Sequence, residues 1–345
     1  MSQTPSEQKA LFLVAKKGDW KVDVTPVLRP KAGEVLIRIE AAALSPFDWK
    51  VKDFGIVITE YPTILGCDSA GTVVEVGEGV TNVAVGDNGE FTVPRAIFQQ
   101  YTLASADLVA KIPSNLTFDE AAAISGSAAS VTIGLYAPKI PMGGAGLTPP
   151  WAQGGRNKYT GVPILVIGGA SSIGQAVIQF AKLSGFSPII ATASPANNDL
   201  LKSLGATHVI DRSADLPSAL STLTSLPTAL RYIFDAVGQP DTQSVAYGVL
   251  ASGGTLITVG HVPIKNIMVE KEVVVLWGVF YIPTNRRFGV EVMSHLTELL
   301  ENGDIKSNAV EVLPGGLSAI LDGLDRLRKQ NVSAKKLVVH PQETA

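Results

Sequence analysis

The feature that most constrains this chain is an apolar strand that runs directly into a turn of small residues and then a helix: VPILVIG at 162–168, then GASSIG, then QAVIQFAK. A short continuous apolar run bounded by glycine is the pattern of a strand buried on both faces. Glycine and serine at its exit allow a sharp turn, so that backbone N–H groups at a helix N-terminus can meet a pyrophosphate. The spacing G-x-G-x-x-G falls on Gly169, Ser171 and Gly174, with serine at the middle position. The candidate nucleotide segment is therefore Gly169, Ala170, Ser171, Ser172, Ile173 and Gly174. The alternative is the tight turn of any α/β protein, which the flanking pattern leaves open. A helix over Gln175–Ser184 is followed by SPIIATA (187–193), a helix over Asn198–Leu204 stopped by Gly205, then HVID (208–211), RYIFDAVG (231–238) and GGTLITVG (253–260). This βαβ alternation predicts a doubly wound α/β domain with a parallel sheet.

The end of the second strand bears on which dinucleotide fits. A site selective for NAD places Asp or Glu there to bind the ribose 2′-hydroxyl. This chain has Thr192, Ala193 and Ser194, and no acidic residue up to Asn198. Without a carboxylate to repel a 2′-phosphate, and with donors at Ser194, Asn197 and Asn198, the segment points to NADPH. A merely polar loop is the alternative.

The first third has a different texture. An apolar run at Leu11–Ala15, an alternating run at Glu34–Leu44 and another at Gly71–Val76 are punctuated by glycine turns, which suggests a small barrel. From Ala137 to Gly161 the composition shifts to Pro, Gly, Asn and Gln, a loop too long to be a simple connection. After about Val275 come amphipathic helices around Val290–Leu300 and Leu317–Leu327 and a last strand at Leu337–Val339.

Composition excludes several classes. With 46% hydrophobic and 17% charged residues the chain is globular, not disordered. A net charge of −3 without blocks of like charge gives nucleic acid nothing to bind. One cysteine, Cys67, and four scattered histidines exclude an internal disulfide and the multiple-cysteine ligand sets of structural zinc. The longest uncharged stretch, Tyr159–Ala181, is interrupted by four glycines and is no membrane span. The segment MSQTPSEQK lacks a secretory pattern, so a cytoplasmic location is expected.

Several segments together resemble the medium-chain dehydrogenase/reductases, in their zinc-independent quinone oxidoreductase and fungal trans-acting enoyl reductase branch. They are LSPFDWK (44–50), LGCDSAGTVVEVG (65–77), VGD (85–87), the GGASSIG turn, FDAVG (234–238) and NVSAKKLVV (331–339). The resemblance implies a Rossmann dinucleotide-binding domain at 131–275 and a GroES-like β-barrel catalytic domain formed by 1–130 and 276–345. It adds Val237, Gly260, His261, Ser333 and Lys335 to the cofactor contacts. It implies a small-molecule substrate, with carrier-bound acyl chains of a polyketide synthase among the candidates, and a monomer or homodimer. Zinc-binding members carry ligands at slots filled here by Ser45 and Cys67, so no metal is expected. Without a Lewis acid, reduction of a polarised C=C bond or a quinone is favoured over alcohol oxidation. A non-catalytic NADPH-binding sensor is the rival reading.

Three residues are the catalytic candidates: Lys50, Ser45 and Asp48. Lys50 fills the slot of a relay histidine or tyrosine in relatives and is either a proton donor or a surface lysine on a loop. Asp48 caps or orients the SPFDWK turn in preference to acting as an acid. Ser45 stands where the branch usually has asparagine, Ala334 where it has glycine, and Ala196 where relatives often carry a lysine for the 2′-phosphate. Arg212, in place of an aromatic residue near the adenine, offers a planar cation for that phosphate. Trp49 and Phe54 line either a pocket or the barrel core, Tyr101 and Tyr136 carry candidate hydroxyls, and Cys67 fits inert packing.

Overall fold

A computed structural model describes residues 4–92, 97–223, 229–260 and 268–345. The chain divides into two compact units: residues 1–126, 290–301 and 307–345 form the first, and residues 127–289 and 302–306 the second.

The first unit is a β structure built from both ends of the chain. The long strand Glu34–Ala43 pairs antiparallel with Asp68–Val76 on one side and with Tyr101–Ser105 and the C-terminal strand Lys335–Val339 on the other. Its alternating pattern buries Val35, Ile37 and Ile39 against Leu11, Leu13, Phe98 and Leu337. Pairing of Val338 with Ala43 and Val339 with Ala42 makes the C-terminus part of this sheet. The C-terminus is fastened further by His340, which lies 2.8 Å from Asp119 and 3.0 Å from Glu343. A three-stranded sheet, Trp20–Pro26, Glu7–Leu13 and Thr63–Ile64, completes the unit.

SPFDWK is not a loop. It begins helix α1 (Pro46–Phe54), with Ser45 as N-cap, proline at the first helical position and Asp48 closing a capping box. The pattern Ser-Pro-x-Asp carries that helix start, because serine and an acid three residues on satisfy reciprocal backbone N–H groups while proline loses nothing at a position whose N–H is free. A second helix, α2 (Phe118–Tyr136), follows.

The second unit holds a six-stranded sheet, parallel throughout. Its order is His208–Asp211, Ile189–Ala193, Ile164–Ile167, Tyr232–Asp235, Thr255–Val259, Glu272–Leu276. This is the order of two mononucleotide-binding halves meeting at the first strand. Helix α3 (Ser172–Leu183) leaves that strand and packs Val177, Ile178 and Phe180 inside. The sixth strand is not legible as one in the sequence: every residue of it is only half-buried, and the unit extends past it to Gly289. The long connection at 137–161 contains no helix or strand. It is secured by side chains: Tyr159 stacks on Phe186 at 4.8 Å and accepts a hydrogen bond from Thr148 N–H, and Trp151 meets Tyr136 edge-on.

Candidate functional site

In the second unit the predicted nucleotide residues gather at the C-terminal ends of the parallel strands. Gly168 and Gly169 donate to the Thr192 hydroxyl and carbonyl, which ties the first strand's exit to the second strand. Ser171 is the N-cap of α3 and its Oγ accepts from Gly174 N–H at 3.0 Å. The serine at the middle position therefore replaces a glycine's openness with a cap. Gly174 is fixed by contact: a Cβ there would stand 2.2 Å from the Gly168 carbonyl oxygen. With helix and strand this close, the first N–H groups of α3 stay available to an anion, and the cradle fits a pyrophosphate.

Ser194 follows the second strand, and Asn197 N–H donates to its carbonyl through a single 3-10 turn. Arg212 N–H donates to the Ala193 carbonyl at 2.9 Å, so Ser194 and Arg212 stand at the ends of neighbouring strands. Ser194 is half-buried and Arg212 exposed, and the adjacent Asp211 carboxylate is held by Ser213 through its backbone N–H and hydroxyl.

Asp235, which the sequence does not mark as a site residue, organises the exit of the fourth strand. Its Oδ1 accepts from Val237 and Gly238 N–H at 3.0 and 3.1 Å, and its Oδ2 accepts from Thr242 and Thr258 hydroxyls. Burial outweighs these four bonds and raises its pKa. Gln243 donates to Thr258 and the Gly260 carbonyl, which extends the network to the next strand's exit. A Cβ on Gly238 would lie 1.6 Å from the Val259 carbonyl oxygen, so the turn carrying Val237 is pinned. The available signal was an acid inside the apolar run YIFDAV. His261 falls outside the described residues.

Ser333 and Lys335 belong to the first unit, where the Lys335 ammonium pairs with Glu311 at 3.1 Å. The same unit holds Ser45, Asp48 and Lys50, all at the start of α1. Asp48 is 2% exposed, and its carboxylate accepts Ser45 N–H at 2.9 Å and also Gly66 N–H. Burial, opposed by the Ser45 bond and reinforced by the Asp68 charge, pushes it up to about 7. Asp68 itself pairs at 2.8 Å with the ammonium of Lys336, and both side chains are buried. Cys67 lies among these charges: burial and the two carboxylates hold its thiol well above the usual range, leaving it protonated and a poor nucleophile.

Lys50 is half-buried, its ammonium 5.9 Å from the Trp49 ring centre, and desolvation lowers its pKa. Trp49 packs against the unit's core, whereas Phe54 is exposed. Tyr101 is half-buried within its strand. The Tyr136 hydroxyl is sealed between Ser184 Oγ and the Phe180 carbonyl, and burial raises its pKa, so it has no free proton to offer. Among the described residues no three His, Cys, Asp or Glu side chains are grouped around a metal position.

Two segments match family models: residues 31–114 the alcohol dehydrogenase GroES-like domain, and residues 172–285 the zinc-binding dehydrogenase. A trans-enoyl reductase of Gibberella fujikuroi is 31% identical over 91% of this chain and 93% of its own length. The chain belongs to the medium-chain dehydrogenase/reductase superfamily. Another member, lovC of Aspergillus terreus, the enoyl reductase component of lovastatin nonaketide synthase, is 31% identical over 93% of this chain and 92% of its own length. The quinone oxidoreductase of Pseudomonas syringae has the same fold, with a TM-score of 0.77, 21% identity and coverage of 97% of this chain and all of that one. This dehydrogenase/reductase is thus an enzyme with enoyl reductase homologues in a family that typically uses a nicotinamide cofactor.

Asp68 is not among the sequence candidates, and Lys336, which beside Lys335 reads in the sequence as charge on a solvated face, is buried; each is a charge set in an apolar run, LGCDSAG and KKLVV. The Lys336→Met variant leaves two buried carboxylates without their cation, and the expected loss is about 3–5 kcal/mol of unfolding free energy. Adding Asp68→Asn to that variant should restore most of it in urea titration; equal stability of Lys336→Met and the parent would show the pair to be dispensable.

Proposed function

We propose that this enzyme is a zinc-independent, NADPH-dependent reductase of polarised C=C bonds in enoyl thioesters or enones, with quinones as alternative acceptors. The observation that carries the reading is the pair Ser45 and Cys67. At the positions where zinc-binding relatives have ligands stand a helix N-cap and a protonated thiol, beside a buried site whose cation is the Lys336 ammonium. An alkoxide would find no Lewis acid there, whereas an enoyl thioester needs none to accept hydride, because its carbonyl oxygen takes the charge.

When bound, the nicotinamide supplies the hydride for the β-carbon. The chain's part is binding, orientation and the proton. The N–H groups of Ser172 and Ile173 at the start of α3 hold the pyrophosphate, with Gly169, Ala170, Ser171 and Gly174 allowing its approach. Ser194, Asn197 and Arg212 hold the 2′-phosphate, and the turns carrying Val237 and Gly260, fixed by Asp235 and Gln243, position the rest of the dinucleotide. Ser333 and Lys335 are further proposed contacts of the cofactor. Lys50, with its pKa lowered by burial, protonates the α-carbon or steadies the enolate oxygen. Since lovC is named as a component of a polyketide synthase, the acyl chain of a carrier protein is the proposed physiological substrate. A cytoplasmic monomer or homodimer is proposed.

Two measurements test this. NADPH should bind at least about tenfold tighter than NADH, and Arg212→Ala should weaken NADPH while leaving NADH nearly unchanged in fluorescence titration; equal losses for both would remove Arg212 from the phosphate site. Lys50→Met should lower the single-turnover rate constant for enone-dependent NADPH oxidation about a hundredfold without altering cofactor affinity. A change under about threefold would mean that solvent supplies the proton.

A further inference from the structure

Helix α1 has nine residues and a half-exposed surface: Phe47 and Phe54 are 45% and 55% exposed, and only Asp48 and Val51 are buried. These two lie three apart and so share a face, whereas Lys50, two residues from Asp48, points about 200° away around the helix. The position of Lys50 therefore depends on how firmly that buried face is seated.

Val51 supplies apolar contact, and Asp48 supplies direction. One carboxylate joins Ser45 N–H, at the helix start, to Gly66 N–H, in the segment leading to strand Asp68–Val76. Gly66 cannot shift freely, because at φ +90° a Cβ would lie 2.6 Å from Ile97 and Phe98 side chains. The next acid along, Asp68, is clamped by Lys336 from the C-terminal strand and by α2, where a Cβ on Gly126 would stand 2.0 Å from Asp68 Oδ1. A capping box needs none of this burial, since an exposed acid caps as well at lower desolvation cost.

We propose that Asp48 is a positioning residue for Lys50, seating the first turn of α1 on Gly66 against the fixed Asp68–Lys336 pair. This inference rests on the reading of Lys50 as the group that handles the proton. Loss of the Asp48 carboxylate lets the first turn rotate and moves the ammonium away from the reacting carbon, and displacements of about 1 Å are enough to slow a positioned reaction by up to about a hundredfold.

The test is a double-mutant cycle on the intact chain, with single-turnover NADPH oxidation by an enone and NADPH affinity measured for each variant. Asp48→Ala should lower the rate constant about tenfold, with cofactor affinity unchanged within about twofold. Asp48→Asn keeps an oxygen that accepts both N–H groups and should restore the rate to within about threefold of the parent. In the Lys50→Met background, Asp48→Ala should have no further effect. If Asp48→Ala does not fold, Asp48→Glu, which adds one methylene to the seat, takes its place in the cycle with the same expectation. An unchanged rate in Asp48→Ala, or in Asp48→Glu where it takes that place, or an equal loss in the Lys50→Met background, overturns the positioning role. An unchanged rate in Lys50→Met overturns the reading of Lys50 itself, and the positioning role with it.

Discussion

The first unit depends on a charge imbalance buried where three of its segments meet: two carboxylates, Asp48 and Asp68, share one ammonium, Lys336. Desolvation makes such a site costly, and a well-packed apolar replacement of a buried pair is often no less stable. Its value is geometric. Lys336 arrives from the C-terminal strand, Asp68 from a central strand and Asp48 from α1, so the pair and its neighbour specify how the chain's two ends and the helix bearing Lys50 are assembled. Burial, reinforced by the neighbouring Asp68 charge, pushes the Asp48 carboxyl up to about 7. Cys67 takes its character from that site as well, since the carboxylates that orient α1 also keep its thiol protonated.

The second unit solves a different problem, bringing backbone segments close together at the exits of its strands. Here glycines with no room for a side chain do the positioning: Gly174 against the first strand's exit, and Gly238 against the Val259 carbonyl. Between them, Asp235 takes four hydrogen bonds, so that the strand exits of the sheet's second half form one hydrogen-bonded surface. A rigid backbone cradle suits a cofactor common to a whole family, whereas side chains at its rim, Arg212 in our proposal, would distinguish one dinucleotide from another.

Much of this architecture is legible in the amino-acid sequence. The parallel sheet can be read because its first five strands are apolar runs separated by helical periods and glycine stops, and the tight turn into α3 because small residues sit at a strand exit. The sixth strand, Glu272–Leu276, escapes because its residues are half-buried and no glycine-rich turn leads out of it to a helix. SPFDWK reads as a turn because Pro and Asp are turn residues; the same residues in the order Ser-Pro-x-Asp begin a helix, and the capping box decides between them. Asp68 and Lys336 are hidden for a common reason. Charges in apolar runs signal burial, but their partners lie far apart in sequence, 268 residues in the case of Lys336 and Asp68.

The proposed chemistry stands on where the hydride goes. A single turnover with NADPH deuterated at its transferable position and an α,β-unsaturated thioester, analysed by mass spectrometry alongside the metal content of the protein, addresses it directly. The expected result is deuterium on the β-carbon of a saturated thioester, a solvent-derived proton on the α-carbon, and less than stoichiometric zinc. Deuterium on the carbonyl carbon of an alcohol product, or one zinc per chain whose removal abolishes transfer, would contradict it.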